Sequence, residues 1–394
     1  MNCSNSSFES CFGRKPQYLF SAPGRTELSG NHTDHQHGCV LAAAVDLETL
    51  AWVAENDLGV IRVCSQGYPP CEICLRELEK KPEEENTTAA LIRGVAAKFA
   101  SLGAKLSGFD AYCTSTVLPG SGLSSSAAFE VLIGTILNHL FFEAKCTPVE
   151  IAQIGQWAEN VYFGKPCGLM DQTASAVGGI VGIDFLDPAH PRVEHLDYDF
   201  SRCGYTVCII DSGADHTDLT GEYAAITAEM KAVASMLGVE YLRDADEEEF
   251  YRSYARIRQS CGDRAVLRAV HFFEENRRVQ KQLDSLRRND FDAFVRYAAE
   301  SGRSSWTLLQ NVTPTGGTVH QDVAAALTLA EHLLAGRGAA RIHGGGFAGT
   351  ILAFVPNDLL ASFRSGMDQA LGDGHCQPLH IRAEGGVLVK EFSE

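Results

Sequence analysis

One stretch, Pro119 to Ala128 (PGSGLSSSAA), constrains this chain more than any other. Gly120 and Gly122 remove side chains, so the backbone there can approach a bulky anion. Ser124, Ser125 and Ser126 supply hydroxyls and N-cap chemistry. The apolar run Ala127-Ala128-Phe129-Glu130-Val131-Leu132-Ile133 follows and reads as the start of a helix. A helix N-terminus carries free N–H groups and about half a positive charge, so a Gly/Ser loop entering one makes a phosphate cradle. No GK[ST] follows, so this is not the common P-loop. A flexible turn capping an ordinary helix would use the same residues, and the rest of the chain has to decide.

The 394 residues allow two domains and a large core. Basic residues number 33 against 50 acidic, a net charge of -17. That argues against nucleic acid or an anionic membrane as the main partner. It leaves ATP open, because a local cradle with Mg²⁺ overrides the global sign. No segment reaches the roughly 18 consecutive apolar residues of a membrane helix. The N-terminus, MNCSNSSFESCFGRK, is polar and shows no signal-peptide core. Thirteen cysteines are scattered, several in apolar surroundings such as Val63-Cys64 and Val207-Cys208-Ile209. They read as reduced, buried thiols of a cytoplasmic protein. Cys71-x-x-Cys74 has no second Cys or His pair at zinc spacing.

The periodicities predict a mixed chain of strands and helices, α/β or α+β, in two domains. Strands are expected at Gln17 to Ser21, ending at Pro23-Gly24, and at Phe109 to Val117. Leu50 to Glu55 and Gly59 to Cys64 read as a strand pair about a turn at Asn56 to Gly59. Helices are expected at Thr88 to Leu102, from the glycine loop to about Phe142, and from Pro148 to about Asn160. Gly178-Gly179 is a plausible boundary, dividing the chain into 1–178 and 179–394. Beyond it lie strands at Gly179 to Ile183, Tyr205 to Asp211 and Thr350 to Val355. Helices follow at Tyr223 to Leu237, Arg264 to Leu286 and Val323 to Leu334. The Arg264 to Leu286 helix is charged on one face, which reads as a solvated surface.

Four segments combine glycines with polar side chains. They are Ala22-Pro23-Gly24-Arg25 with Gly30-Asn31-His32-Thr33-Asp34, then the Gly/Ser loop, then Glu159 with Gly168 to Asp171, then Gly344 to Gly349. ATP-dependent phosphoryl transfer needs a phosphate cradle, a magnesium site, a group that positions or deprotonates the acceptor, and cationic stabilisation. These segments can supply all four. In order and content they resemble the galactokinases of the GHMP kinase superfamily. The family's GRxNxxGEHTDYxxGxVLP is recognisable from Gly24-Arg25 to Leu41, and GLSSSA is intact at Gly122 to Ala127. PCGxMDQ spans Pro166 to Gln172, and GGGFGG appears as Gly344 to Gly349 with Ala348 in place of a glycine.

The resemblance implies an α+β, two-domain GHMP kinase fold, with mixed sheets, flanking helices and the active site in the interdomain cleft. It implies an ATP-dependent kinase acting on the anomeric C1 hydroxyl of galactose or a close relative. Asp171 aligns with the catalytic aspartate facing that hydroxyl, and Arg25 with the arginine beside it. Ser126 and Glu159 align with Mg²⁺ ligands, with Glu130 a competing carboxylate. The backbone from Gly120 through Ser121, Gly122, Leu123, Ser124 and Ser125 to Ser126 would hold the ATP phosphates. Asn31, His32, Asp34, Gly168 and Tyr223 align with sugar contacts. Asp34 can accept from two hydroxyls of a vicinal diol.

Asn31 stands where galactokinases have a glutamate reading the sugar's O6. An amide there would remove repulsion toward a C6 carboxylate, so a C6-modified sugar such as galacturonate is the alternative substrate. A sugar and ATP sensor without turnover is a further reading, against which Arg25 and Asp171 both speak. Other departures from the family are Glu27 for Asn, Ser29 for Ile, His35 for Tyr, Ala42 for Pro, Leu118 for Pro and His343 for Thr.

Overall fold

The structure, a computed structural model, describes residues 2–117, 120, 122–165, 167–214 and 219–392. Among the described residues twelve strands form two sheets. They are β1 (Tyr18–Ser29), β2 (Cys39–Glu55), β3 (Val60–Ser65), β4 (Cys71–Cys74), β5 (Phe109–Ser115), β6 (Ile180–Asp184), β7 (Arg192–Leu196), β8 (Tyr205–Asp211), β9 (Ala339–Ile342), β10 (Thr350–Pro356), β11 (Cys376–Leu379) and β12 (Val387–Glu391). The larger sheet runs β12-β1-β2-β5-β3-β4, with β6 and β7 added through β2. The smaller runs β11-β8-β10-β9. β6, β7 and β12 all follow residue 178 in sequence, yet they belong to the sheet that β1 and β2 found.

One face of the larger sheet is covered by the helices Thr88–Ser101, Ser125–Phe141, Pro148–Ala158 and Met170–Val177. Their apolar stripes, among them Ile92, Val95, Phe99, Leu132, Ile136 and Ile151, pack on Phe20, Val40, Val53 and Phe109. The other face meets the smaller sheet through one continuous core. Leu28, Leu41 and Val45 pack there with Ile209, Leu352 and Phe354 and with Leu283 and Phe294 of two C-terminal helices. The helix Asn2–Phe12, which no periodicity announces, docks by Phe8 against Leu19, Trp52 and Ala54.

Two sequence expectations give way here. β1 does not stop at Pro23-Gly24 but continues to Ser29. β12 pairs only with Tyr18 to Ser21, so the missing N–H of Pro23 costs no ladder bond, and the register shifts between Pro23 and Arg25. Gly24 leaves room for a close approach, since a Cβ there would lie 3.0 Å from the Leu123 carbonyl. β2 and β3 are not hairpin partners either. β5 lies between them, antiparallel to β2 and parallel to β3. β5 carries Phe109, Ala111 and Cys113 into the core, and Asn56 and Arg62 bond its Asp110 from the flanking segments. On β4, Cys71 and Cys74 are three residues apart and so face opposite sides of the strand.

Candidate active site

β1 delivers Arg25 to the end of the helix that begins at Met170. The guanidinium forks onto Asp171, Nε to Oδ1 and Nη2 to Oδ2, both at 2.8 Å. Its third nitrogen, Nη1, donates to the Gly122 carbonyl. The Arg25 side chain is 8% exposed, whereas that of Asp171 keeps 31%, so the carboxylate faces an opening. Burial alone would raise the Asp171 pKa, but Arg25 and Ser124 outweigh it and hold the group below the usual carboxylate range.

The phosphate loop joins the same carboxylate. Ser124 is the N-cap residue of Ser125–Phe141, in the left-handed region at φ 59°, and its side chain makes no capping bond. The hydroxyl turns instead to Asp171 Oδ2, at 2.8 Å. N-cap chemistry is therefore given up for a contact with Asp171, and the first turn of the helix is left without a side-chain cap. Such an end is disposed to accept an anion. Gly122 has φ +74° and Leu123 is buried, its carbonyl accepting from the Arg25 N–H at 3.0 Å. Gly120, at φ +79°, has nothing within 4 Å of where a Cβ would stand. Ser121 lies outside the described residues, as do Leu118, Pro119 and Pro166.

Two residues further on, in the first turn of that helix, Ser126 Oγ lies 3.3 Å from Glu159 Oε1. Glu159 opens a single π-helical turn, Glu159–Phe163, and is buried. Gln172 Nε2 donates to Glu159 Oε2 at 2.9 Å and to Glu130 Oε2 at 3.0 Å, so it separates the two carboxylates. Glu130 is fully buried, and burial together with Glu159 raises its pKa well above the carboxylate range. Glu130 sits behind Gln172, which occupies its Oε2, and makes no bond to Ser126. Ser126 and Glu159 are the pair of hard oxygen donors that fits.

The residues aligned with sugar contacts divide into two groups. Asp34 and Gly168 touch, since a Cβ at 168 would lie 2.2 Å from Asp34 Oδ2. Burial raises the pKa of Asp34, and the nearby His32 acts against this. His32 is left-handed at φ 57°, and its Nε2 is 2.9 Å from the Gly345 carbonyl. Tyr223 donates to the Gly346 carbonyl at 3.0 Å, its ring against Gly345. Asp34 is close enough to Asp171 for their charges to interact, while His32 and Tyr223 are held by the Gly344–Gly346 turn.

Asn31 does not join them as the sequence suggests. It is fully buried and its amide is saturated by protein. Nδ2 donates to Glu27 Oε1 at 3.2 Å and to the Gly344 carbonyl at 2.7 Å. Oδ1 accepts from Ser305 Oγ at 3.2 Å and Asn311 Nδ2 at 2.8 Å. The helix Asp263–Arg287 does present solvated charges, among them Arg277, Asp284 and Arg287, but it also carries a second, inward polar stripe. Arg268, His271, Glu275, Arg278 and Gln282, at alternating steps of three and four, are all buried. Glu275 Oε1 accepts from the Gly30 N–H at 3.0 Å, and His271 Nε2 donates to the Asn31 carbonyl at 2.9 Å. The segment from Gly30 to Asp34 is thus held by the C-terminal half. The only trace of this in sequence is the helical spacing of the polar stripe, which looks the same whether it faces water or protein.

Fold and site together define a GHMP-type small-molecule kinase. The GHMP kinases N terminal domain matches residues 90–179, and the galactokinase galactose-binding signature matches residues 6–55. The chain is 31% identical over 350 residues to a galactokinase of Streptomyces coelicolor, covering 88% of this chain and 87% of that one. It is 32% identical over 368 residues to a galactokinase of Glaesserella parasuis, covering 92% and 91%. This chain belongs to the galactokinase family. In three dimensions it superposes on Lactococcus lactis galactokinase complexed with galactose with a TM-score of 0.82, at 24% identity, over 98% of this chain and 99% of that one. A mevalonate kinase has the same fold at a TM-score of 0.66 and 13% identity, over 93% of this chain and 99% of that one.

Proposed function

We propose that this protein is an ATP- and Mg²⁺-dependent galactokinase that phosphorylates the C1 hydroxyl of galactose. The observation that carries the reading is the convergence on Asp171. Arg25 from β1 and Ser124 from the phosphate loop both bond its carboxylate, which stays ionised with one side open. In this reading the phosphates of ATP lie over the uncapped helix start between Gly120 and Ser126, where free N–H groups offset their charge. Bound Mg²⁺ would neutralise charge on the transferring phosphoryl group, held by Ser126 and Glu159. Asp171 holds the C1 hydroxyl in line and accepts its proton or its hydrogen bond. Arg25 keeps that carboxylate charged and fixes its orientation. Asp34, His32, Gly168 and Tyr223 take the sugar.

The buried, saturated amide of Asn31 offers no open face to a C6 carboxylate, and the curated relatives are galactokinases, so galactose is favoured over galacturonate. We divide the chain near residues 178–179, with β6, β7 and β12 returning to the N-terminal unit's sheet. A reducing cytoplasm suits the twelve free thiols among the described residues. Among those residues no helix is long and apolar enough to cross a membrane.

A sugar panel with coupled ADP detection tests the proposal. Galactose should give the highest kcat/KM, with turnover lost on chelation of divalent metal. ADP release with galacturonate but not galactose would overturn the substrate. Binding of both ligands without ADP release would leave a sensor instead.

A further inference from the structure

β9 and the residue that follows it hold all three polar groups of Glu27 on β1, and His343 Nε2 also lies 3.1 Å from the Thr26 hydroxyl. Arg341 is fully buried. Its Nη1 donates to the Glu27 carbonyl at 2.9 Å and its Nη2 to Glu27 Oε1 at 2.7 Å. His343, 3% exposed, takes the third group, its Nε2 lying 3.2 Å from the Glu27 N–H. A backbone N–H can only donate, so Nε2 is the unprotonated nitrogen. The imidazole proton is therefore on Nδ1, which donates to Thr350 Oγ1 at 3.0 Å. Burial holds the ring neutral, and the charges of Arg25 and Arg341 act in the same direction.

Residue 27 is two positions after Arg25 and four before Asn31, whose amide donates to the same carboxylate. The far side of His343 bears on the phosphate loop. A Cβ on Gly122 would lie 3.0 Å from His343 Nδ1 and 2.5 Å from Thr350 Oγ1, and the Gly122 carbonyl accepts from Arg25. His343 also precedes the Gly344–Gly346 turn, which bonds Asn31, His32 and Tyr223. Arg25, the phosphate loop and the sugar segment therefore share one support.

We infer that Arg341 and His343 are positioning residues of the phosphoryl transfer, clamping β1 at Glu27 so that Arg25, Gly122 and the Gly30–Asp34 segment keep one register. Neither touches the opening onto Asp171. They act through Glu27 and Gly122, and a misplacement of about 1 Å at such a site costs on the order of 10²-fold in rate. The inference rests on the kinase reading for its consequence, though not for its geometry.

Two His343 variants test it, because Arg341 substitutions would strand a buried carboxylate and risk the fold. His343→Leu removes the acceptor for the Glu27 N–H. His343→Gln puts an amide oxygen where Nε2 stood. Kinetics give kcat and both KM values per folded molecule. Hydrogen exchange of the peptide covering residues 24–34 reports the clamp without needing turnover. The expected result for His343→Leu is a kcat at least tenfold lower, with faster exchange across 24–34. His343→Gln should restore both to within about threefold of wild type. A merely structural role would lower the melting temperature and leave kcat per folded molecule unchanged, which overturns the inference. Unchanged exchange in His343→Leu overturns it equally. If wild type does not phosphorylate galactose, the functional proposal fails, and the exchange result then decides the clamp by itself.

Discussion

At the scale of single residues, the site is a set of side chains turned from ordinary duties toward one carboxylate. Asp171→Asn keeps the shape and removes the charge that Arg25 and Ser124 hold in place. We expect kcat to fall by about 10²–10⁴-fold, the range of general-base contributions, with ATP affinity nearly unchanged by calorimetry. Wild-type kcat in this variant would remove Asp171 from the chemistry. Gly168→Ala tests the sugar side. Its methyl would lie 2.2 Å from Asp34 Oδ2 and must push that carboxylate aside. Loss of one charged hydrogen bond to the sugar should raise its KM by about tenfold or more while KM for ATP stays put. Equal changes in both constants would mean that Asp34 does not contact the sugar alone.

At the scale of elements, the helix Ser125–Phe141 starts without the side-chain cap its sequence promises. Replacing a working N-cap serine by alanine costs about 1 kcal/mol. Here the hydroxyl serves Asp171 instead, so Ser124→Ala should change stability by less than about 0.5 kcal/mol while lowering kcat severalfold. A denaturant titration beside steady-state kinetics separates the two, and a full cap penalty with normal kcat would reverse the assignment. Glu159 and Ser305 each stand at the start of a π-helical turn, Glu159–Phe163 and Ser305–Leu309. In both places the extra residue per turn accompanies a buried polar side chain that bonds another segment, Glu159 with Ser126 and Ser305 with Asn31.

At the scale of the whole molecule, the N- and C-terminal halves meet through buried polar groups as well as apolar core. Burial pushes the His271 imidazole down from 6.5 to about 4, with Glu275 acting in opposition. Between those values the unfolded chain takes up a proton that the folded chain refuses, so stability falls as pH drops from 6.5 toward 4. At pH 5 the loss should be about 2 kcal/mol. His271→Gln retains a donor for the Asn31 carbonyl and should flatten the fall of melting temperature between pH 7 and 5. An identical slope would place the acid sensitivity elsewhere. Glu275, held at about 2, loses its contribution only below 4.5, as pH falls toward its folded pKa. The two groups therefore act in largely separate pH windows.

Features that depend on short, contiguous runs, including which segments would meet at Asp171, were legible without coordinates. The Gly/Ser loop, Asp171 within PCGLMDQ, Arg25 after Pro23-Gly24, and the long amphipathic helices all carry their signal in residues that are neighbours in the chain. What the linear order hides is which neighbour occupies each side chain. Nothing local says that Asn31 is spent on Ser305 and Asn311, that β5 comes between β2 and β3, or that the polar stripe from Arg268 to Gln282 faces protein. Those outcomes follow from strand order and from the need of every buried polar group to find a partner, and both are set only when distant segments pack together.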